Sequence, residues 1–164
     1  MSHQAGHAAH SERFTMTVVK WSEWYEVGIP SLDLRHWNLF NAMNRLHEAI
    51  HSEGGEKQIP LALDALFGDI LTHLREEETL MVAVDHPGAS ECRTEHHQFL
   101  EQVASYRSQY KRDPTRARAT ELSTALVDWL MIHMTKMDIQ FVNAVKGKVE
   151  DRWAEVWCCQ AVSA

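Results

Sequence analysis

The chain has 164 residues, 45% of them apolar and 24% charged, which suits one domain with a sizeable core. Its formal net charge of −7 argues against nucleic acid and against an anionic membrane surface as partners. Four prolines and seven glycines give too little punctuation for an all-β fold, and no apolar run is long enough to span a membrane.

The first fifteen residues lack the apolar stretch of a signal peptide. The three cysteines, Cys92, Cys158 and Cys159, cannot pair completely, and two of them are adjacent. A reducing, cytoplasmic setting is therefore expected. Residues 1–17 are polar and small and read as a flexible tail. Its His3, His7 and His10 fall at i, i+4 and i+7 and are assigned no role.

An aromatic, irregular segment, WSEWYEVGI, spans 21–29 and leads to Pro30-Ser31, where a helix is expected to start. The first helix is expected from Leu32 to Ser52. Leu32, His36, Leu39, Phe40, Met43, Leu46 and Ile50 form one stripe, and Gly54-Gly55 ends the helix. A second is expected from Pro60 to Val84, stopped by Asp85-His86-Pro87-Gly88. A third covers Ala89 to Lys111 and breaks at Asp113-Pro114. The fourth runs from Thr115 to Gly147 with Leu122, Leu126, Trp129, Leu130, His133 and Met137 in phase. Four such helices with short turns predict an all-α, up-down-up-down four-helix bundle over residues 18–148. The segment 149–164 carries Trp153, Val156 and Trp157 at helical spacing and reads as an amphipathic tail that packs on the bundle or on a partner subunit.

Chemistry concentrates on the apolar stripes. His73 and Glu77 are four residues apart, as are Cys92 and His96, so each pair shares a helix face. His133 and Asp138 are five apart, about 140° around an ideal helix, and are less readily paired by geometry alone. His36 is a lone histidine in the first stripe. Buried imidazoles and carboxylates are costly unless paired or coordinated. One such residue reads as a hydrogen-bonded core histidine. A set drawn from every helix reads as a metal site, and mixed imidazole and carboxylate donors suit iron.

The lead-in VVKWSEWYEVGIPSLDLRH, HLREEETLM on the second helix, HHQF on the third and WLMIHMTKMDIQF on the fourth resemble the bacterial hemerythrins, over residues 18–142. The resemblance implies a non-haem centre of two carboxylate-bridged iron ions that also share an oxo or hydroxo bridge. His36 and His73 would hold one iron, which keeps an open position for dioxygen. Glu77 and Asp138 would bridge, and His96 and His133 would hold the second iron with a third histidine expected at position 92. Here that residue is Cys92. Leu130 matches the apolar residue over the oxygen pocket and Trp129 its packing neighbour, while Leu74 stands where phenylalanine is usual.

Three outcomes follow for Cys92: it coordinates as a soft thiolate, it leaves the second iron with a vacancy or lost, or it is a redox-active thiol. The function implied is dioxygen binding for storage, delivery or sensing, with a redox enzyme acting on peroxide or nitric oxide as the alternative. Glu76 and Glu78, which flank Glu77, read as a solvated acidic face. Cys158 and Cys159 are left without assignment.

Overall fold

The computed structural model describes residues 19–145, with side chains described as far as residue 136. The expected tails at 1–17 and 149–164, with their histidines, tryptophans and paired cysteines, lie outside the described residues. A one-turn 3-10 helix, Glu23–Tyr25, precedes α1 (Pro30–His51). A second short turn, Gly55–Lys57, leads into α2 (Ile59–Ala83), followed by α3 (Ala89–Arg112) and α4 (Arg116–Val145). Each expected helix is present, and the ends that fall within the described residues lie within about two residues of those read from the stripes; the expected end of the fourth at Gly147 lies outside them. No strand occurs among the described residues.

Local chemistry sets the ends. Pro30 opens α1 behind an extended Ile29, a position where its fixed φ fits and its missing N–H costs nothing. The Asp33 carboxylate in the first turn accepts the Val27 N–H at 2.7 Å, which fixes the angle of approach. At the other end Gly54 takes φ +70°, the left-handed region that a side chain disfavours. Gly55 follows so closely that a Cβ there would lie 2.1 Å from the Ala49 carbonyl oxygen. Thr115 begins α4 by accepting the Arg118 N–H on its hydroxyl at 3.3 Å.

Helix α1 packs on α2 and α4, and α3 packs on the same two, so the four form a closed ring of antiparallel neighbours. The larger apolar cluster fills one end with residues such as Leu39, Met43, Leu46, Leu66, Ile70, Val103, Leu122 and Leu126. A smaller one at the opposite end joins Val27, Ile29, Leu32, Leu80, Met81 and Cys92. The histidines of the stripes lie between the two clusters. His36 falls between Leu32 and Leu39, and His73 with Glu77 falls between Ile70 and Leu80.

The lead-in segment runs back along α1. Tyr25 packs on Phe40 with ring centroids 4.7 Å apart, and Trp21 meets the same ring edge-on at 5.2 Å. One helical turn further on, Val19 gives its N–H to the Asn44 side chain at 3.1 Å and accepts from it at 2.9 Å.

Arg116 ties the end of α1 to the start of α4. Its guanidinium donates to the carbonyls of Ile50 at 2.6 Å and Ser52 at 2.7 Å, and to Glu56 at 2.9 Å. It thereby satisfies carbonyls that a helix C-terminus leaves open and puts a cation at the negative end of the dipole. Arg116→Ala should lower stability by about 1 kcal/mol, less than is usual for charged hydrogen bonds because the group is partly solvated. Urea unfolding would read this as a lower midpoint at unchanged slope.

Candidate metal centre

The expected ligands on α1, α2 and α3, and His133 on α4, converge in the bundle interior. His36, His73, Glu77, Cys92, His96 and His133 are each at most 3% exposed. The carboxylate of Glu77 sits at the middle. Its Oε2 is 2.9 Å from His133 Nε2, 3.5 Å from His96 Nε2 and 3.6 Å from His73 Nε2. Ring centroids of His36 and His73 are 5.0 Å apart, those of His73 and His133 5.6 Å, and those of His96 and His133 5.1 Å. Asp138 falls on α4 by sequence, and its side chain lies outside the described residues.

Cys92 is part of the cluster. Its Sγ lies 3.3 Å from His96 Nε2, one turn along α3. It also closes the smaller apolar cluster against Leu32, Leu80 and Met81, so the thiol stands where apolar packing meets the polar centre. Glu91 and Glu95 are exposed, and exposed His97 pairs with Glu101 at 3.3 Å, so none of these replaces it at the centre.

Residues outside the ligand set aim the rings. His36 donates its Nδ1–H to the Tyr25 carbonyl at 2.9 Å, which leaves Nε2 as the lone-pair nitrogen. His96 donates Nδ1–H to Glu78 Oε1 at 2.9 Å, again turning Nε2 inward. Glu78 is braced in turn by Arg93 at 3.5 Å. Trp129 stacks on His133 at 4.4 Å and 15°, and Phe99 stacks on Trp129 at 3.6 Å. Leu130 and Leu74 are buried in the larger apolar cluster, at 0% and 2% exposure.

The solvated acidic face expected at Glu76 and Glu78 is not what forms. Glu76 pairs with Arg35 of α1 at 2.7 Å, and Glu78 orients a buried imidazole. Both stand about 100° around α2 from Glu77, which is toward the neighbouring helices rather than toward water. Sequence reasoning missed Tyr25, Glu78 and Phe99 as supports; of these only Glu78 had a local signal, as a carboxylate one residue from a ligand.

The donors fit a metal ion. Atoms held about 2.0–2.3 Å from a single cation stand roughly 3.0–3.7 Å from one another. The Nε2, Oε2 and Sγ separations above fall in that range or just below it. Ligand atoms of His73, Glu77 and His133 all lie within 4.8 Å of one another. Imidazoles whose far nitrogen donates to a carbonyl or carboxylate have the orientation metal-binding histidines adopt.

Family comparison agrees with this geometry. The model of the hemerythrin HHE cation-binding domain matches residues 27–145. The chain belongs to the hemerythrin family. Similar proteins include the bacteriohemerythrin of Stenotrophomonas maltophilia, 25% identical over 132 residues, covering 80% of this chain and 84% of that one. The bacteriohemerythrin of Pseudomonas aeruginosa is 25% identical over 138 residues, covering 83% and 87%. That of Methylococcus capsulatus is 27% identical over 107 residues, covering 65% and 79%. No described helix of this hemerythrin is long and apolar enough to cross a membrane.

In this hemerythrin Glu78 is the outer support most open to test. Glu78→Ala should weaken metal binding about 10- to 100-fold, the range for losing such a partner. Glu78→Gln, which keeps an acceptor oxygen, should recover much of it. Competition with a chromophoric chelator measures both.

Proposed function

We propose that this chain holds two iron ions at the buried centre and binds dioxygen there for storage, delivery or sensing. The observation that carries the reading is Glu77. Its carboxylate stands among imidazoles from α2, α3 and α4, between the ring assigned to one ion and the rings assigned to the other, a position that suits a bridging ligand. His36 and His73 would serve one ion and His96 and His133 the other, with Glu77 and Asp138 shared. Iron bound in this way supplies a redox-active centre with an open position for a small diatomic molecule.

The protein's own part is orientation and exclusion of water. Tyr25 and Glu78 fix the tautomers of His36 and His96, so that Nε2 faces inward in both. Trp129 holds the plane of His133 by stacking on it. Leu130 and Leu74, both buried, would give the ligand position an apolar wall, which disfavours water and charged species and favours a small neutral ligand.

A second reading, a redox enzyme acting on peroxide or nitric oxide, is favoured by Cys92. Its sulfur is within reach of the cation that His96 would hold. A thiolate adds a negative, strongly donating ligand, which stabilises ferric over ferrous iron and shortens the life of any reversible oxygen complex.

Visible absorption of reduced, iron-loaded protein separates the two readings as air is admitted and then purged. A band that rises in air and reverses on purging is the expected result for oxygen binding. Direct passage to a ferric spectrum with a thiolate-to-iron band moves the function to the enzyme. Absence of any oxygen-dependent band, even transiently, defeats the first reading. Cys92→His should lengthen the life of the reversible band, and loss of the band in that variant would count against this account of the thiol.

A further inference from the structure

Trp129 meets two of the imidazoles at the centre. Its ring centroid lies 4.4 Å from that of His133 at 15°, and 6.3 Å from that of His96 at 69°. Phe99 stacks on the same indole at 3.6 Å and 4°. His133 and His96 are at most 3% exposed, whereas Trp129 is only partly buried. The stack therefore runs from the buried ligands to the surface of the bundle.

Holding the plane of His133 needs no more than a flat apolar ring. Indole adds a property that a phenyl ring lacks, since it gives up an electron readily; Phe99 does not, so oxidation that reaches Trp129 stops there. Peroxide chemistry at this centre has a use for such an electron. The Cys92 sulfur, 3.3 Å from His96 Nε2, favours the ferric state of the ion that His96 would hold. With that ion ferric, the centre offers one electron, from a ferrous ion on His36 and His73. Cleaving the O–O bond of peroxide to give two waters takes two.

We propose that Trp129 supplies the second electron when the centre reduces peroxide, and that it is refilled at the surface by a small thiol. The proposal rests on the redox-enzyme reading of the iron centre. One electron comes from the ferrous ion, which becomes ferric. The other comes from the indole, which also releases its N–H proton. A second proton comes from solvent, the O–O bond breaks, and two waters form. The neutral indole radical then takes a hydrogen atom from a thiol, and two sulfur radicals so formed join as a disulfide.

Reduced, iron-loaded full chain is mixed with hydrogen peroxide in the absence of thiol and frozen at intervals for electron paramagnetic resonance. Peptide mass spectrometry then maps oxygen addition at each tryptophan and at Cys92. A transient organic radical and oxygen addition on Trp129 are the expected result. Trp24, which is 87% exposed, is the control, because oxidants formed in bulk solution would reach it first. Trp129→Phe keeps a flat ring in the stack and should lose the radical at equal iron content. Trp129→Tyr, which restores an oxidisable ring, should regain one. An unchanged radical in Trp129→Phe overturns the proposal, as does equal oxidation of Trp129 in iron-free protein. Oxidation that falls on Trp24 or Cys92 and spares Trp129 does the same. A chain that takes up no iron defeats the reading of the centre and the proposal with it. One that takes up iron and leaves Trp129 unmodified overturns the proposal alone.

Discussion

A buried carboxylate is the constraint around which this bundle is arranged. Glu77 is 1% exposed, deep among apolar side chains, where an isolated charge would cost several kcal/mol. Imidazoles from three helices face its Oε2 within 3.6 Å. Each of those helices must therefore sit in one axial register, because a slip of one residue rotates a histidine about 100° away from the centre. The apolar clusters on either side supply the general drive to pack, and the polar layer between them selects one packing. A family defined by cation binding is consistent with this layout: a cation turns a layer that is expensive to bury into one whose donors are all used.

The supports of the rings come from parts of the molecule that otherwise look incidental. The lead-in segment has no long helix and no buried residue in its 3-10 turn, yet its Tyr25 carbonyl sets the tautomer of His36. Tyr25 and Trp21 pack on Phe40, so the same aromatic contacts that hold the segment down also hold that carbonyl in place. On the opposite side, Glu78 and Arg93 do the same for His96 from the rim of the bundle. Ring orientation thus depends on surface and near-surface groups, while ring position depends on the core.

Cys92 differs from the other donors in having two kinds of neighbour. Toward the centre it meets His96 Nε2, and away from it the side chains of Leu32, Leu80 and Met81. A sulfur atom suits both, since it packs as a small apolar group and also ligates as a soft donor. The imidazole that family resemblance places here would be larger and would press on that apolar cluster. Packing and chemistry at position 92 are consequently coupled, since the side chain there touches both the polar centre and the end of the core.

The sequence by itself determined the four helices, their breaks and the residues that line their apolar stripes. These are local properties: proline and glycine punctuate, and a 3.6-residue period places His73 with Glu77 and Cys92 with His96 on one face. It also marked the centre, because so many ligand-type residues in phase with apolar stripes are hard to bury for any other purpose. Only the tertiary structure decided what stands around the ligands. Glu78 lies 100° from Glu77 on its own helix and looks solvated in isolation; it becomes a partner of His96 because α3 packs on that side. The Tyr25 carbonyl, the stacking of Trp129 on His133 and the pairing of Val19 in the lead-in with Asn44 of α1 are likewise decided by packing and not by spacing within one helix. Residue spacing encodes which face a side chain occupies, but what that face meets is set by the packing of other helices.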